Sequence, residues 1–369
     1  MREYSLPRQL ARLPQLLVLP LTFLLTNAAK KAPSVVEGLY SNGLYPMIRD
    51  AVSKLTRALP FSAAETVFLG AALTLCVLFI IHAVRLFSFK RDALIRMLSF
   101  LISVAVTFAY LVSAFYLMWG LNYHRMGLAE KLDLPDREYS TEELYALCVK
   151  LSQEANAEAE LVTRGGNGVF SEDFSDIRQD VQEAFGDFSK LHPSFCGDVP
   201  QVKGLASSEL FSALGITGIF VFLTEEPNVN TNEPSLFLAH SAAHETAHYL
   251  GYAAEEDANF LGYLVCEASN SHALKYSAAM HALVHCMSAL YKADPDAYDE
   301  ISGTYAEAVL RDLKDYSAHC DKYESELRKS AQELNDGYLK ANDQEKGVDS
   351  YEEDVALYLR IFDSRGLFS

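Results

Sequence analysis

Residues 244–248 read His-Glu-Thr-Ala-His, and their types and spacing suit a catalytic metal site. Histidines four apart lie on one face of a helix, about 6 Å apart along its axis, so one ion can bind both imidazoles. The glutamate between them can take a proton from a water bound to that ion. This H-E-x-x-H pattern is typical of zinc peptidases. It predicts Zn²⁺ ligands at His244 and His248, and a general base at Glu245.

A catalytic zinc usually has three protein ligands and one open position, so a third ligand is needed. His240 shares the helix face, but it would lie about 12 Å from His248 along the axis, too far for one ion. Glu255 would lie about 10 Å too far along an unbroken helix. Gly251 resolves this difficulty, because a left-handed glycine can end the helix and let the chain return. Glu256 is the alternative third ligand.

Residues 255–259 read E-x-x-A-N, similar to the third-ligand helix of gluzincin peptidases, E-x-x-A-D/N. This resemblance favours Glu255 over Glu256. Asn259 lies one turn further on the same face, where an amide can orient a ligand from the second shell. A donor that stabilises the transition state is also expected. Tyr276 is the preferred candidate, from a set that includes His272, His281 and His285.

The segment before the motif, Gly215 to Leu223, is rich in β-branched and aromatic residues and predicts a strand. Zinc peptidases often bind the substrate backbone as an added edge strand, so this strand is a candidate for that role. An ordinary core strand is the alternative. A polar turn is predicted for Thr224 to Pro234. Helices are predicted over 141–160, 173–191, 236–250, 255–269, 275–291 and 296–340.

Three apolar segments in the first third of the chain predict membrane spans, at about 13–29, 66–84 and 97–120. The last has no charged residue over 24 positions, which is enough to cross a bilayer. The first segment contains two prolines and follows three arginines, so it can be a span or a signal sequence. Asn27 stands where a cleavage site needs a small residue, which favours an uncleaved span.

The charge distribution separates the same two regions. Residues 1–125 carry 13 Lys and Arg against 5 Asp and Glu, whereas the remainder is strongly acidic and brings the whole chain to −18. An acidic domain argues against nucleic-acid binding, which needs clustered basic residues. The sequence therefore predicts a membrane region over 1–120 that contacts the lipid bilayer, and a soluble domain over 121–369.

The placement of Lys and Arg predicts the orientation in the membrane, because cytoplasmic loops are enriched in both. Three arginines precede the first span. Four basic residues lie between the second and third spans: Arg85, Lys90, Arg91 and Arg96. If both groups are cytoplasmic, the soluble domain faces outside. The five basic residues within 30–61 oppose this assignment.

Several blocks of the chain resemble a bacterial family of membrane-anchored proteins that carry H-E-x-x-H and are catalogued as a domain of unknown function. The blocks are VEGLYSNGLYP (36–46), PFS (60–62), WGLNYHR (119–125), GITG (215–218), NVN (228–230), the motif with residues 255–260, NDGYLK (335–340) and GVDSY (347–351). The resemblance implies three spans and an extracytoplasmic, metallopeptidase-like domain. The chain departs from the family at FLTEE (222–226), where the family has a Pro-Phe-Thr-Gly-Glu-like stretch. This departure affects the expected loop on the substrate side and leaves the expected metal site unchanged.

Together these features predict a mainly α protein with a small β element: transmembrane helices followed by a zincin-like α+β metallopeptidase domain. The predicted function is a membrane-anchored, zinc-dependent endopeptidase that hydrolyses peptides or proteins, with Glu245 as general base. The alternative is a non-catalytic membrane protein, either a pseudopeptidase or a binding module, whose metal only joins helices.

Overall fold

The computed structural model describes residues 7, 10–88, 93–195, 197–342, 344 and 351–368. Within them the chain is mainly helical, with one small three-stranded sheet. The backbone forms two compact units. Unit 1 holds Met1–Ile48, Ala63–Arg125 and Phe222–Thr224, and unit 2 holds Arg49–Ser62, Met126–Val221 and Glu225–Ser369. Residues 49–62, assigned to the membrane region from the sequence, thus belong to unit 2.

The first third of the chain contains the apolar helices. A 3₁₀ turn (Leu13–Leu17) leads into α1 (Val18–Ala29). After a short turn (Pro33–Val35), a π-helical segment (Val36–Leu44) continues into α2 (Tyr45–Thr56). Two long helices follow, α3 (Ala63–Ser88) and α4 (Ala93–Met118), and then a second 3₁₀ turn (Gly120–His124).

Two helical stretches in the described residues, Ala63–Ile81 and Leu94–Met118, are long and apolar enough to cross a membrane. They correspond to the predicted spans at 66–84 and 97–120. The first predicted span passes the same test only if Leu13–Ala29 is joined to Pro33–Thr56, and these two are bent by 105°. Two or three crossings are therefore compatible with the structure. Arg2, Arg8, Lys90 and Arg91, used above to predict orientation, lie outside the described residues, as do residues 347–350.

Polar contacts in unit 1 join the π-helical segment to the chain just after α4. The Arg125 guanidinium donates to both carboxylate oxygens of Glu37, each at 3.0 Å, and both side chains are buried. The Ser41 hydroxyl donates to Asn122 Oδ1 at 2.8 Å. Two of the blocks that carry the family resemblance, 36–46 and 119–125, therefore contact each other.

Unit 2 contains the remaining helices of the described chain. Its order is α5 (Leu128–Lys131), α6 (Thr141–Ala159), α7 (Phe174–Leu191), β1 (Lys203–Gly204), α8 (Ser208–Leu214), β2 (Gly218–Val221), β3 (Glu226–Val229), α9 (Ser235–Tyr249), α10 (Glu255–Ala268), α11 (His272–Ala293), α12 (Pro295–Ser302), α13 (Glu307–Lys322), α14 (Glu326–Ala341) and α15 (Tyr351–Ser364).

Helix α9, which carries the motif, is buried along nearly its whole length. Small side chains on it allow close packing: Ala239, Ala242, Ala243 and Ala247 are all fully buried. A Cβ atom added to Gly262 of α10 would lie 3.2 Å from the backbone nitrogen of His244. The core thus holds α9 and α10 at close, fixed separation, which is what a rigid site between them requires.

The sheet has the strand order β1-β3-β2, so β2 is an edge strand. β2 pairs antiparallel with β3, with Gly218 opposite Val229 and Val221 opposite Glu226. β2 confirms the centre of the predicted strand. The predicted polar turn over 224–234 was wrong in part, because it contains buried strand β3. Asn228 can be buried there because its amide donates to the carbonyl oxygens of Glu226 and Ile219.

The predicted long helix over 296–340 was wrong, because the structure breaks it into α12, α13 and α14. At the first break, Asn156 accepts from the Ala306 amide at 2.7 Å and donates to the Thr304 carbonyl at 2.9 Å. At the second break, Ser325 caps α14 by accepting from the Arg328 amide. Side chains that satisfy backbone groups in this way end helices that composition alone would continue. Helix α15 was not predicted.

Candidate metal centre

Helix α9 presents the motif and ends just beyond it. Gly251 has φ +85°, in the left-handed region, as its predicted role requires. Its amide donates to the His248 carbonyl at 2.9 Å, and the Tyr252 amide donates to the Ala247 carbonyl at 3.1 Å. These bonds satisfy the last carbonyl groups of the helix and reverse the chain. The predicted helix stop at Gly251 is therefore confirmed.

The reversed chain starts α10 at Glu255 and brings its carboxylate against the two histidines. Glu255 Oε2 lies 3.3 Å from His244 Nε2, and Glu255 Oε1 lies 3.8 Å from His248 Nε2. One ligand atom from each of the three residues lies within 4.8 Å of the other two. In the described chain, this is the one group of His, Cys, Asp and Glu that meets this geometric test for a metal.

These distances suit a small divalent cation. Bonds of about 2.0–2.1 Å in a tetrahedral arrangement separate neighbouring ligand atoms by about 3.3 Å. The Glu255 Oε2–His244 contact of 3.3 Å equals that separation, and the contact of the other carboxylate oxygen, Oε1, with His248 is longer, at 3.8 Å. The donor set of two imidazoles and one carboxylate is also one that catalytic zinc sites use. Glu256, the alternative third ligand, is not part of the group.

Both histidine rings are held with Nε2 towards Glu255. His244 Nδ1 lies 2.6 Å from Asn259 Oδ1, and His248 Nδ1 lies 2.7 Å from the backbone carbonyl oxygen of Tyr252. Because both partners are acceptors, each Nδ1 carries the proton, and each Nε2 has its lone pair free in the neutral ring. The contact of Asn259 follows from its predicted position. His248 contacts the backbone carbonyl group of Tyr252, which any residue type would supply, so no sequence pattern predicts this contact.

Glu245 is buried beside β2. It accepts a hydrogen bond from the backbone amide of Phe220, and its Oε2 has no hydrogen-bond partner. A Cβ atom built on Gly218 would lie 2.6 Å from Glu245 Oε1. Glycine at this strand position therefore allows the backbone to approach the carboxylate more closely than any other residue would.

The four ionisable groups of the site influence one another strongly. Burial raises the pKa of Glu245 to about 8, although the charge of His244 opposes this. Burial lowers the pKa of His248 to about 4. Burial would also lower the pKa of His244, but the hydrogen bond and charge of Glu255 outweigh it and raise the pKa to about 9.

Burial likewise opposes ionisation of Glu255, but the hydrogen bond from His244 prevails and lowers the pKa of that carboxyl to about 2. Without a metal ion, His244 and Glu255 thus form an ion pair at neutral pH, and Glu245 is largely protonated. A divalent cation would displace the His244 proton, and its charge would favour the ionised form of Glu245.

A cavity of about 450 Å³ is lined by two of the three residues, His244 and Glu255. That volume lies within the range usual for small-ligand sites. Its lining combines polar and apolar side chains: Thr217, Phe237, His240, Ser241, His244, Glu255, Asn259, His281, Val284, His285, Ser288, Tyr316, Asn335, Leu339 and Asp354.

The cavity wall also contains histidines that the sequence placed outside the ligand set. His240 stacks on His281 at 3.7 Å between ring centroids, and its Nε2 faces the Asn259 carbonyl oxygen at 3.2 Å. His281 and His285 had been considered as transition-state donors, and both line the cavity. His272, also considered, pairs instead with Glu158 at 2.7 Å.

Tyr276, the preferred candidate for transition-state donor, is not brought to the site. It does not line the cavity, and its hydroxyl donates to Asp312 Oδ2 at 2.8 Å. Asp312 is buried and also accepts from the Arg164 guanidinium. Because this network occupies the Tyr276 hydroxyl, its position suits a structural role better than proton or charge donation to a substrate.

Comparison with protein families gives one match. The model of the family described as "Protein of unknown function (DUF3810)" matches residues 40–359. This range takes in α3, α4 and the whole of the site. Comparison with curated proteins and with solved structures gives no match.

Proposed function

The chain belongs to this family of proteins of unknown function, and we propose that it is a membrane-anchored, zinc-dependent metallopeptidase. One observation carries the proposal. His244, His248 and Glu255 converge at distances suited to one tetrahedral cation, while acceptor oxygens fix the outer nitrogen of each ring. Metal-binding histidines are typically held in this way by a second shell.

A zinc ion held by these three residues would polarise a peptide carbonyl group and acidify a water molecule. Glu245 is the residue positioned to accept the proton of that water and later to deliver it to the leaving amine. Its environment suits this role, because the side chain is buried and the Phe220 amide orients the carboxylate. A metal that only joined helices would not require a buried carboxylate beside it. Glu245 therefore favours catalysis over the structural alternative.

The substrate that best suits this geometry is an extended peptide. β2 is an edge strand of the sheet, and its Phe220 amide donates to Glu245. An extended segment laid along this edge would form main-chain hydrogen bonds with the strand while its backbone passes the catalytic carboxylate. This arrangement supports the predicted role of the strand in substrate binding. It favours peptides or unfolded protein segments over compact small molecules.

The contacts of residues 49–62 support a specific topology. Arg57 forms an ion pair with Asp198 and donates to the Tyr249 hydroxyl at 2.8 Å, and Lys203 donates to the Leu59 carbonyl oxygen. This segment precedes the two apolar stretches in α3 and α4, and the metal-site domain follows them. If both stretches cross the membrane, they form a hairpin that starts and ends on the domain's side.

This topology also bears on the positive charges within 30–61. Arg57 is engaged with Asp198 and Tyr249, and the Arg49 guanidinium lies 4.8 Å from the Tyr249 ring centroid. Basic residues that bind the domain need not mark a cytoplasmic loop. The basic segment between α3 and α4 would then face the cytoplasm, and the domain would face outside.

Glu245→Gln tests the proposed function. The detergent-solubilised full chain should bind one zinc per molecule and cleave unstructured peptides, and a zinc chelator should stop the cleavage. Glu245→Gln should keep the zinc and lose about 10²- to 10⁴-fold in rate, the usual contribution of a general base. Glu233→Gln, at a buried carboxylate outside the cavity lining, is the matched control.

Two results would contradict the proposal. Cleavage by Glu245→Gln at the wild-type rate would remove Glu245 from the mechanism. Stoichiometric zinc binding by a wild-type chain that cleaves no member of a diverse peptide library would favour the structural-metal alternative.

A further inference from the structure

Asp354 lies on α15, far along the chain from the motif, yet it reaches the metal centre through a single residue. Its Oδ2 accepts from Asn259 Nδ2 at 3.1 Å and lies 3.0 Å from His285 Nδ1. The side chain is 1% exposed, and Oδ1 has no hydrogen-bond partner. A carboxylate this deeply buried is costly unless its contacts compensate, so its place beside Asn259 calls for a physical reason.

The reason lies in the symmetry of the Asn259 amide. An amide group can face His244 with either its oxygen or its nitrogen, and only the oxygen can accept the Nδ1 proton. A carboxylate accepts hydrogen bonds and cannot donate them. Asp354 therefore forces the NH₂ group of Asn259 towards itself and leaves Oδ1 facing His244 at 2.6 Å.

We infer that Asp354 is a positioning residue for the metal centre, an inference that rests on the proposed function. Through Asn259, it keeps the proton of His244 on Nδ1 and directs Nε2 towards the other two ligands. It also places a negative charge behind a neutral amide, which makes Oδ1 a better acceptor and His244 a more basic ligand. Metal retention thus depends on α15, whose Tyr358 packs against Tyr263 of α10 at 4.9 Å between ring centroids.

Zinc affinity of full-length variants in detergent, measured by competition with a chromophoric chelator, tests this role. Asp354→Ala should weaken zinc binding about 10- to 100-fold, the usual effect of losing an outer-shell partner. Tyr358→Phe is the matched control on the same helix, because its hydroxyl contacts His281 and not Asn259. This control should bind zinc within about threefold of wild type.

An exchanged pair separates positioning from simple destabilisation. In Asn259→Asp with Asp354→Asn, the new carboxylate can accept from His244 Nδ1, and the new amide can donate to it from α15. We expect the pair to bind zinc within about threefold of wild type, although Asp354→Ala does not. A variant that was merely misfolded would not be rescued by a second substitution in the same network.

The outcomes are distinguishable. If wild type binds zinc and Asp354→Ala binds it equally well, or if the exchanged pair is as weak as Asp354→Ala, the positioning role is overturned and the proposed function stands. If wild type binds no zinc, the proposed function fails, and the positioning role fails with it. Peptide cleavage does not enter the readout, so an inactive but zinc-binding chain still tests the inference.

Discussion

Gly218 lies so close to Glu245 that a Cβ atom built on it would be 2.6 Å from Glu245 Oε1, closer than real Cβ atoms approach other atoms. This close approach brings the edge strand β2 against the motif helix α9 at Glu245, the residue proposed as general base. It means that the strand backbone forms one wall of the space around the carboxylate. The identity of residue 218 therefore bears on the proposed role of Glu245, although Gly218 is not one of the proposed metal ligands.

Gly218→Ala should reduce peptide cleavage and leave zinc binding unchanged. The added methyl group must displace the Glu245 carboxylate, and a displacement of about 1 Å can cost about 100-fold in rate. Cleavage rate and zinc stoichiometry, measured on the same preparation, check this expectation. Gly186→Ala, in α7, is the matched control, because its Cβ would meet nothing within 4 Å. Unchanged cleavage by Gly218→Ala would show that the carboxylate tolerates displacement.

Glu255→Ala and Glu256→Ala should differ sharply in zinc affinity. Only Glu255 belongs to the converging group, so its loss should weaken binding by more than the 10- to 100-fold typical of outer-shell residues. Glu256→Ala should bind within a fewfold of wild type. Competition with a chelator measures both variants. If Glu256→Ala bound zinc more weakly than Glu255→Ala, Glu256 would be the third ligand.

The centre of the site could be predicted from the sequence because its parts are close along the chain. His244 and Asn259 are 15 positions apart. Within that interval, helix geometry, one left-handed glycine and a second helix start determine the relative positions of the side chains. Such local rules apply whatever surrounds them, which is why Gly251 and the start of α10 were correctly predicted.

Contacts between distant segments could not be predicted in this way. Asp354 meets Asn259 across 95 positions, and Asp312 meets Tyr276 across 36. No periodicity or spacing links such pairs, because packing of whole helices brings them together. The same limit explains why Tyr276 was a poor choice of donor. Its residue type suited the chemistry, but the buried network around Asp312 determines where its hydroxyl points.

Cysteine labelling should assign Leu55 and Leu334 to the same side of the membrane. Both residues are 77% exposed, and both belong to the unit that contains the candidate metal centre. In a background with Cys76, Cys196 and Cys320 replaced by serine, Leu55→Cys and Leu334→Cys should react with a membrane-impermeant maleimide added outside intact cells. Lys90→Cys, between the two apolar helices in sequence, should react only after permeabilisation.

The parent without added cysteine is the control for this labelling. Reaction of Leu55→Cys and Leu334→Cys from opposite sides would contradict the hairpin. Reaction of both only after permeabilisation, with Lys90→Cys labelled from outside, would keep the hairpin and reverse the orientation.

Glu233, just before α9, should make the protein less stable as the pH rises. Burial raises the pKa of its carboxyl to about 7, although the charge of Arg328 opposes the shift. The folded state therefore keeps this proton at pH values where the unfolded chain has already lost it. The stability contributed by the neutral carboxyl is complete below about pH 4.5 and is lost as the pH rises towards 7.

Glu233→Gln removes this dependence, because glutamine stays neutral at every pH. Relative to wild type, its free energy of unfolding should rise between about pH 4.5 and 7 by on the order of 2 kcal/mol and then level off. Unfolding of detergent-solubilised protein across this range measures the difference. Glu209→Gln is the contrasting control. A hydrogen bond from Tyr323 lowers the pKa of that carboxyl, so the stability it contributes is lost only as the pH falls below about 4.5, and the deficit of this variant should stay constant between about pH 4.5 and 7. A pH-independent difference between Glu233→Gln and wild type would mean that Glu233 titrates as it does in the unfolded chain.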